Sequence, residues 1–253
     1  MHPSEAEKQY GGHPNSAALT EAAINERQKQ MPSEHVKKVQ INGVPVFEKK
    51  DKKEYTILAP QMIPTHFALF QKAFELHGYR FKILKTLAPG MVEEGLRYVN
   101  NDACYPAVIT IGQLVSALKS GKYDLQRTAV LLTQTGGGCR ATNYIALLKK
   151  ALINAGYSYI PVISMNYSKD LEKQPGFKIT LPLVKKLIVS ACLGDLLLRL
   201  RFAVRPYEGN KGIADAFYQK WLARCSILLE RFSMKRYKST ISQMIRDFAQ
   251  IAV

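Results

Sequence analysis

Two cysteines of this chain each stand directly in front of a predicted helix. Cys104 ends a polar loop and comes two residues before Pro106, which suits the first turn of a helix. Cys139 lies between the apolar run Thr128–Thr133 and a second helical pattern. The start of a helix offers unpaired N–H groups and a partial positive charge, and both favour thiolate over thiol. Since the thiolate binds metals and attacks substrates, both cysteines are candidates for chemistry.

Three consecutive glycines, Gly136, Gly137 and Gly138, come directly before Cys139. Glycine lets the backbone approach a bulky ligand closely and point its amides at that ligand. Iron–sulfur clusters use such surroundings, because thiolates bind the iron and N–H donors to the sulfides tune the potential. The motif therefore makes Cys104 and Cys139 candidate metal ligands, with the glycines as candidate cofactor-binding residues.

Polar residues next to the two cysteines are candidates for supporting roles. Arg140 would offset the negative charge of a cluster or contact an anionic ligand, unless it is a surface arginine of a first helical turn. Asn143 and Gln134 would hydrogen-bond cluster sulfides or a substrate. Asn100 and Asn101 are typical turn formers.

Two other kinds of chemistry remain open from these residues alone. A triple-glycine turn after a strand could cradle a phosphate, although it lacks the Lys-Ser/Thr of a P-loop and the spacing of a dinucleotide fingerprint. Cys139 could be a nucleophile, yet no histidine follows the motifs to activate it. His66 and His77, on the first helix of the alternating pattern, are predicted to be surface or packing residues.

The remaining two of the four cysteines are predicted to have packing roles. Cys192 sits on an apolar helical face and Cys225 in a helix rich in Leu and Arg, as is typical of small buried side chains. No CxxC pair is present, which argues against a zinc ribbon. A disulfide framework is not expected in a chain without a signal peptide.

Apolar strand patterns alternate with helical patterns through the middle of the chain. The predicted strands cover residues 55–59, 80–84, 128–133 and 159–164. The predicted helices cover residues 66–77, 106–118 and 141–155, and residues 90–98 are predicted to form a helix or a turn. This alternation predicts an α/β, Rossmann-like fold with a parallel sheet of about four strands flanked by helices. Strand-to-helix loops of such a sheet meet at one edge, so we expect Cys104 and Cys139 to lie there.

The pattern divides the chain into three parts. Residues 1–52 are predicted to be an N-terminal extension, partly helical or flexible, with a helix over residues 16–30. Residues 53–180 form the Rossmann-like α/β domain with the cysteine motifs. Residues 181–253 are predicted to be C-terminal helices, with Arg205 to Lys211 connecting the first two.

A formal net charge of +16 raises the expectation of an anionic partner. A solvated basic surface would explain the charge equally well. Nucleic acid is not expected, because the aromatic and glycine pattern of an RNA-binding sheet is missing. The longest apolar stretch, residues 181–202, is interrupted by charges, and the polar N-terminus resembles no signal peptide. We therefore expect a cytoplasmic protein with no membrane role.

Four segments of the chain resemble the 2-hydroxyacyl-CoA dehydratase superfamily. They are NNDACYPAVITIGQ, TQTGGGCRATNY, ITLPLVKKL and VRPYEGNKGIAD. The similarity is to the region found in large activase-related proteins, next to ATP-binding activase domains. It covers roughly residues 40–253, and the two cysteine motifs are its most specific part.

The resemblance implies a Rossmann-like fold that holds a [4Fe-4S] or double-cubane iron–sulfur cluster, with Cys104 and Cys139 as ligands. It implies an ATP-dependent activase as the partner that delivers single low-potential electrons. The activity would be that of a reductase or dehydratase component acting on an acyl-CoA or another small substrate, in anaerobic metabolism.

The chain departs from this family pattern in its ligands. The family would supply three cysteines to each cubane, whereas two stand in a matching context here. We expect the third ligand beyond Val253, in a second Rossmann-like half, and we expect no activity from this chain alone. Oligomers are possible, and the alternative is a non-catalytic Rossmann-like binding module that has no cluster.

Overall fold

The computed structural model describes residues 40–41, 44–84, 90–100, 102–135, 138–165 and 174–251. Its strands are β1 (Gln40–Ile41), β2 (Val44–Pro45), β3 (Thr56–Pro60), β4 (Arg80–Leu84), β5 (Thr128–Thr133) and β6 (Val162–Met165). Its α-helices are α1 (Asp51–Glu54), α2 (Pro64–Glu75), α3 (Met91–Leu96), α4 (Tyr105–Lys119), α5 (Tyr144–Asn154), α6 (Leu181–Val204), α7 (Ile213–Glu230) and α8 (Met234–Ala249).

Within the described residues, the main sheet consists of four parallel strands in the order β4-β3-β5-β6. The short β1 and β2 pair with each other in a separate antiparallel ribbon. The residues of β5 are buried, except for its last residue, Thr133, which is exposed. Such burial is typical of a parallel strand that helices cover on both faces of the sheet. The predicted α/β, Rossmann-like fold is confirmed.

Helices cover both faces of the sheet. Leu58, Val130 and Val162 pack into the layer of α4 and α5. The adjacent Ile57 and Ala129 pack into the opposite layer, which contains α2 and the start of α6. Since successive side chains of a strand point to opposite faces, the uninterrupted apolar strands require both layers.

The three C-terminal helices form a bundle that rests on α2. Leu193, Trp221 and Phe248, one from each of these helices, share a buried core. Leu69 of α2 belongs to the same core and joins the bundle to the sheet layer. None of the helices in the described ranges is long and apolar enough to cross a membrane.

Most element boundaries lie close to those predicted. Strands β4 and β5 and helix α6 have the predicted bounds. Helix α5 begins later, at Tyr144, because residues 140–143 form a 3₁₀ turn. The predicted cap at Gly78 has φ of 81°, the left-handed conformation that favours glycine. The helix predicted over residues 16–30 lies outside the described residues.

The prediction for Cys192 was wrong, whereas the prediction for Cys225 is confirmed. Cys225 is fully buried in the core of the C-terminal bundle. Cys192 is exposed. Apolar residues lie all around α6, so its sequence pattern does not distinguish the packed side from the solvent side.

Helix α4, which begins directly after Cys104, is held at close range by α3. An added Cβ at Gly112 of α4 would lie 2.2 Å from the carbonyl oxygen of Met91. At Gly95 of α3 it would lie 2.2 Å from the carbonyl oxygen of Val108. The two helices therefore approach so closely that only glycine fits at these positions.

We expect Gly112→Ala to lower the free energy of unfolding by about 1–3 kcal/mol, because overpacking against backbone outweighs the better helix propensity of alanine. Urea unfolding followed by circular dichroism measures this change. Gly209→Ala is the matched control, since an added Cβ there meets no atom within 4 Å, and it should change stability by less than about 0.5 kcal/mol. Equal stability of the two variants would contradict the packing described for α3 and α4.

Candidate functional site

Cys104 is the residue immediately before α4, and its side chain is partly buried. Its extended backbone, with φ of −63° and ψ of 143°, brings the chain into the helix. The preceding turn is stabilised by Asn100, whose Oδ1 accepts from the amide of Asp102 at 3.2 Å. Asn100 is thus a turn former, as predicted, whereas Asn101 lies outside the described residues.

Cys139 occupies the corresponding position after β5. It precedes the 3₁₀ turn Arg140–Asn143, which continues directly into α5. Its backbone is also extended, with φ of −79° and ψ of 139°, and its side chain is exposed. Both cysteines therefore stand at loop–helix junctions, as the sequence predicts.

Two contacts bring the cysteine loops together at the carboxyl edge of the sheet. The Nη1 of Arg140 donates to the backbone carbonyl of Asp102 at 2.6 Å. The hydroxyl of Tyr144 lies 3.0 Å from the Sγ of Cys104. Residues that flank one cysteine thus bind the loop that carries the other, although the two cysteines are 35 positions apart.

Tyr144 is the polar side chain that contacts Cys104. Burial raises the pKa of Tyr144 well above its usual range, and the hydrogen bond to Cys104 and the charges of Cys104 and Cys139 raise that pKa further. The hydroxyl therefore keeps its proton at neutral pH and can donate it to sulfur. The sequence predicts no role for Tyr144, because its contact with Cys104, 40 positions away, depends on how two helices pack on the sheet.

For the predicted cofactor-binding residues Gly138 and Asn143, the structure gives no contact that supports a role in binding, and Gly136 and Gly137 cannot be compared. Gly136 and Gly137 lie outside the described residues. Gly138 is exposed, and a Cβ there would meet no atom within 4 Å, so packing among the described residues does not require glycine. Asn143 precedes α5 without a capping bond from its side chain. The roles of Gly138 and Asn143 stay predictions.

Gln134 has a buried polar atom at this edge. Its Oε1 is shielded from solvent and has no hydrogen-bond partner among the described residues. Gln134 directly follows β5 and stands five residues before Cys139. A buried polar atom without a partner is unusual and is typical of a place that a water or ligand satisfies.

The loop after β3 lies at the same edge and is held in place by α4. The amide of Gln61 donates to the Oε1 of Gln113 at 2.9 Å, and the Nε2 of Gln113 donates back to the carbonyl of Gln61. Strand β3 lies between β4 and β5, so the chain reverses its direction of travel across the sheet here. Open α/β sheets bind their ligands at such a switch point.

The side chains at this edge are of the types that bind an iron–sulfur cluster, but there are too few cysteines among them to hold a cubane. Cys104 and Cys139 supply two thiols, and Tyr144 supplies a hydrogen-bond donor to sulfur. Among the described residues, no group of three or more His, Cys, Asp and Glu side chains could hold a metal ion. A cubane would therefore need thiolates from outside these residues.

The two histidines in the described ranges form hydrogen bonds away from the cysteines. The Nε2 of His66 lies 2.9 Å from the Oδ1 of Asp195, and the Nδ1 of His77 lies 2.8 Å from the carbonyl of Ala73. His66 is buried in packing, as predicted, and His77 bonds within its own helix region. Neither contact supports a thiol–imidazole pair at Cys139.

The chain matches no protein-family model, and searches of the curated proteins and of the solved structures gave no match.

The four cysteines should differ in their rates of alkylation under native, anaerobic conditions. Burial raises the pKa of Cys225 to about 12, so at pH 8 only on the order of one thiol in ten thousand is ionised. We expect iodoacetamide to label the exposed Cys139 and Cys192 first, Cys104 more slowly, and Cys225 at least about a hundredfold more slowly. Time-resolved mass spectrometry of tryptic peptides gives the order. Labelling of Cys225 as fast as Cys139 would contradict the buried position of Cys225.

Proposed function

We propose that this chain binds an iron–sulfur cluster and accepts electrons in an ATP-dependent low-potential reductase or a 2-hydroxyacyl-CoA dehydratase-type system. The observation that carries this proposal is the position of Cys104 and Cys139 at two helix starts on one sheet edge, with the Tyr144 hydroxyl 3.0 Å from the sulfur of Cys104. The sequence resemblance of the two cysteine motifs supports the same function.

The residues of the edge have distinct roles in this proposal. Cys104 and Cys139 bind iron as thiolates, and the starts of the helices behind them favour that negative charge. Tyr144 donates a hydrogen bond to the sulfur of Cys104. Arg140 links the two loops that carry the cysteines by its hydrogen bond to the carbonyl of Asp102.

The system has further components in this proposal. An ATP-dependent activase supplies single electrons, and the cluster passes them to an acyl-CoA or another small substrate. The remaining thiolate ligands come from outside the described residues.

A non-catalytic Rossmann-like binding module is the second candidate. It is favoured by the fact that the described residues bring two cysteines, and not three, to the edge. In that case the two thiols have no metal to bind, and the function is contact with a partner.

Iron and acid-labile sulfide content after strictly anaerobic purification tests the first proposal. We expect a brown protein with iron and sulfide in equal amounts, and a Cys104→Ala/Cys139→Ala variant that loses at least about nine-tenths of both, because thiolates are the ligands that hold the cluster. Cys192→Ala is the matched control, since its thiol is exposed and lies outside the edge.

A colourless wild-type protein without iron would show that this chain alone holds no cluster, and it would leave two explanations, the lack of the remaining thiolate ligands or a binding module without a cluster. Iron that persists in the double variant would show that a cluster is bound elsewhere.

Tyr144→Phe should retain the cluster but lower its reduction potential. Hydrogen bonds to the sulfur ligands stabilise the extra negative charge of the reduced state, so their loss shifts the potential negative, on the order of tens of millivolts. A redox titration followed by electron paramagnetic resonance measures the shift. Tyr105→Phe is the control, because Tyr105 adjoins Cys104 but its side chain is exposed to solvent. An unchanged reduction potential in Tyr144→Phe would show that Tyr144 donates no hydrogen bond to a cluster ligand.

A further inference from the structure

Helix α8 buries its apolar side in the C-terminal bundle, where Met244 and Phe248 belong to the core. Five exposed cationic or hydroxyl side chains share the opposite side, at the three- and four-residue spacing of one helix face. They are Lys235, Lys238, Ser239, Ser242 and Arg246, and we call them the α8 face. Because all five are exposed, this face is open to a ligand.

The cations of the α8 face have no acidic partner among the residues that the structure describes. Residues 231–250 contain five basic residues and one acidic residue, for a net charge of +4. The acidic residue, Asp247, faces α7, where its Oδ2 lies 3.8 Å from Lys220 Nζ and 3.8 Å from Arg224 Nη1. Asp247 therefore neutralises cations of α7 and leaves those of the α8 face unpaired.

The first turn of α8 carries charge of the sign that a helix start disfavours. Its amides are unpaired and partly positive, so they attract anions and repel cations. Ser233 caps α8 by accepting from the amide of Arg236 at 3.2 Å, and no acidic residue stands in the first turn. Arg236 occupies the position where a capping box has Glu or Gln. The basic first turn therefore does not stabilise the helix by itself, whereas a bound anion would be attracted by both the lysines and the amides.

The spacing of the α8 face fits the major groove of B-form DNA. Lys238 and Arg246 are eight residues apart, which is about 12 Å along the helix axis. The major groove of B-DNA is about 12 Å wide and admits an α-helix, whereas side chains do not enter the deep, narrow major groove of duplex RNA. Cations at both ends of the face, with the small Ser239 and Ser242 between them, suit a helix that crosses this groove from one strand to the other.

Other anionic partners fit the α8 face less well. The core of a protein interface is apolar, whereas Ser239 and Ser242 lie at the centre of this face. A helix that binds a membrane surface inserts its apolar side, and that side of α8 is packed in the bundle. Single-stranded nucleic acid stacks on aromatic rings, and the rings of α8, Tyr237 and Phe248, belong to the bundle core.

We propose that the α8 face binds the phosphate backbone of double-stranded DNA without sequence preference. Lys235 and Lys238 contact phosphates of one strand, Arg246 contacts the other strand, and Ser239 and Ser242 lie over the groove between them. The sequence does not predict nucleic acid because it lacks the pattern of an RNA-binding sheet, but the contact proposed here is made by one helix. Neither cysteine motif takes part, so this inference is independent of the proposed iron–sulfur function.

Fluorescence anisotropy of a labelled DNA duplex of about 20 base pairs, titrated with the full chain at about 50 mM salt, tests the α8 face. The variant Lys235→Gln/Lys238→Gln/Arg246→Gln removes three positive charges and retains residues that favour a helix. We expect this variant to bind DNA at least about tenfold more weakly. The slope of log K against log salt should become shallower by about 2–3, since each phosphate contact contributes about 0.9 to it.

The matched control is Lys122→Gln/Arg127→Gln/Lys150→Gln, which removes the same charge from exposed residues between α4 and β5 and on α5. It should keep the affinity within about threefold. Equal weakening in both variants would assign binding to net charge and overturn the site, and so would a wild-type chain that does not bind DNA. If circular dichroism shows that the α8 variant is unfolded, the salt slope of Lys238→Gln alone decides, and an unchanged slope would overturn the site.

Four other anionic ligands test the assignment to double-stranded DNA. They are duplex RNA, single-stranded DNA, poly-glutamate, and vesicles of phosphatidylserine and phosphatidylcholine. We expect each to bind the chain more weakly than duplex DNA does. Equal or tighter binding of any one of them, lost in the α8 variant and retained in the control, would reassign the α8 face to that class of partner.

Discussion

The parallel pairing of β3 with both β4 and β5 is the constraint on which the rest of the structure depends. Thr56 pairs with Arg80 on one side and with Thr128 on the other, so β3 is central and the chain must cross over it after β4. The loops after β4 and β5 consequently open at the same edge. Cys104 lies between α3 and α4, in the connection from β4 to β5, and Cys139 lies in the loop after β5. Burial of the sheet on both faces fixes this register.

The position of the two cysteines could be predicted from the sequence, but the contacts between their loops could not. Apolar strands, Pro106 and the glycine run locate both thiols at loop–helix junctions through local patterns alone. The bond between Tyr144 and Cys104 depends instead on how α4 and α5 lie side by side on the sheet. No local spacing encodes that arrangement. The exposure of Cys192 was missed for a related reason, because α6 is apolar on every side.

The segment before β3 shows the same limit of local patterns. Phe47 ends the apolar segment of residues 44–47, which the sequence predicts as an edge strand of the N-terminal extension, yet its side chain is fully buried in the same cluster as Ile57. The carbonyl of Phe47 accepts a hydrogen bond from the amide of Gly176 at 2.8 Å. The amide of Phe47 donates to the Oε1 of Gln174 at 2.7 Å. Partners more than a hundred residues apart hold this segment in place, and such pairing becomes visible only in three dimensions.

The electrostatics of the two loop–helix junctions connect the fold to the candidate site. Cys104 directly precedes α4, and Cys139 directly precedes the 3₁₀ turn that leads into α5. Amides at the start of a helix have no partner within the helix, so they attract negative charge. Both cysteines thus have similar electrostatic surroundings because the parallel sheet brings two such starts to one edge, and neither motif alone produces that arrangement.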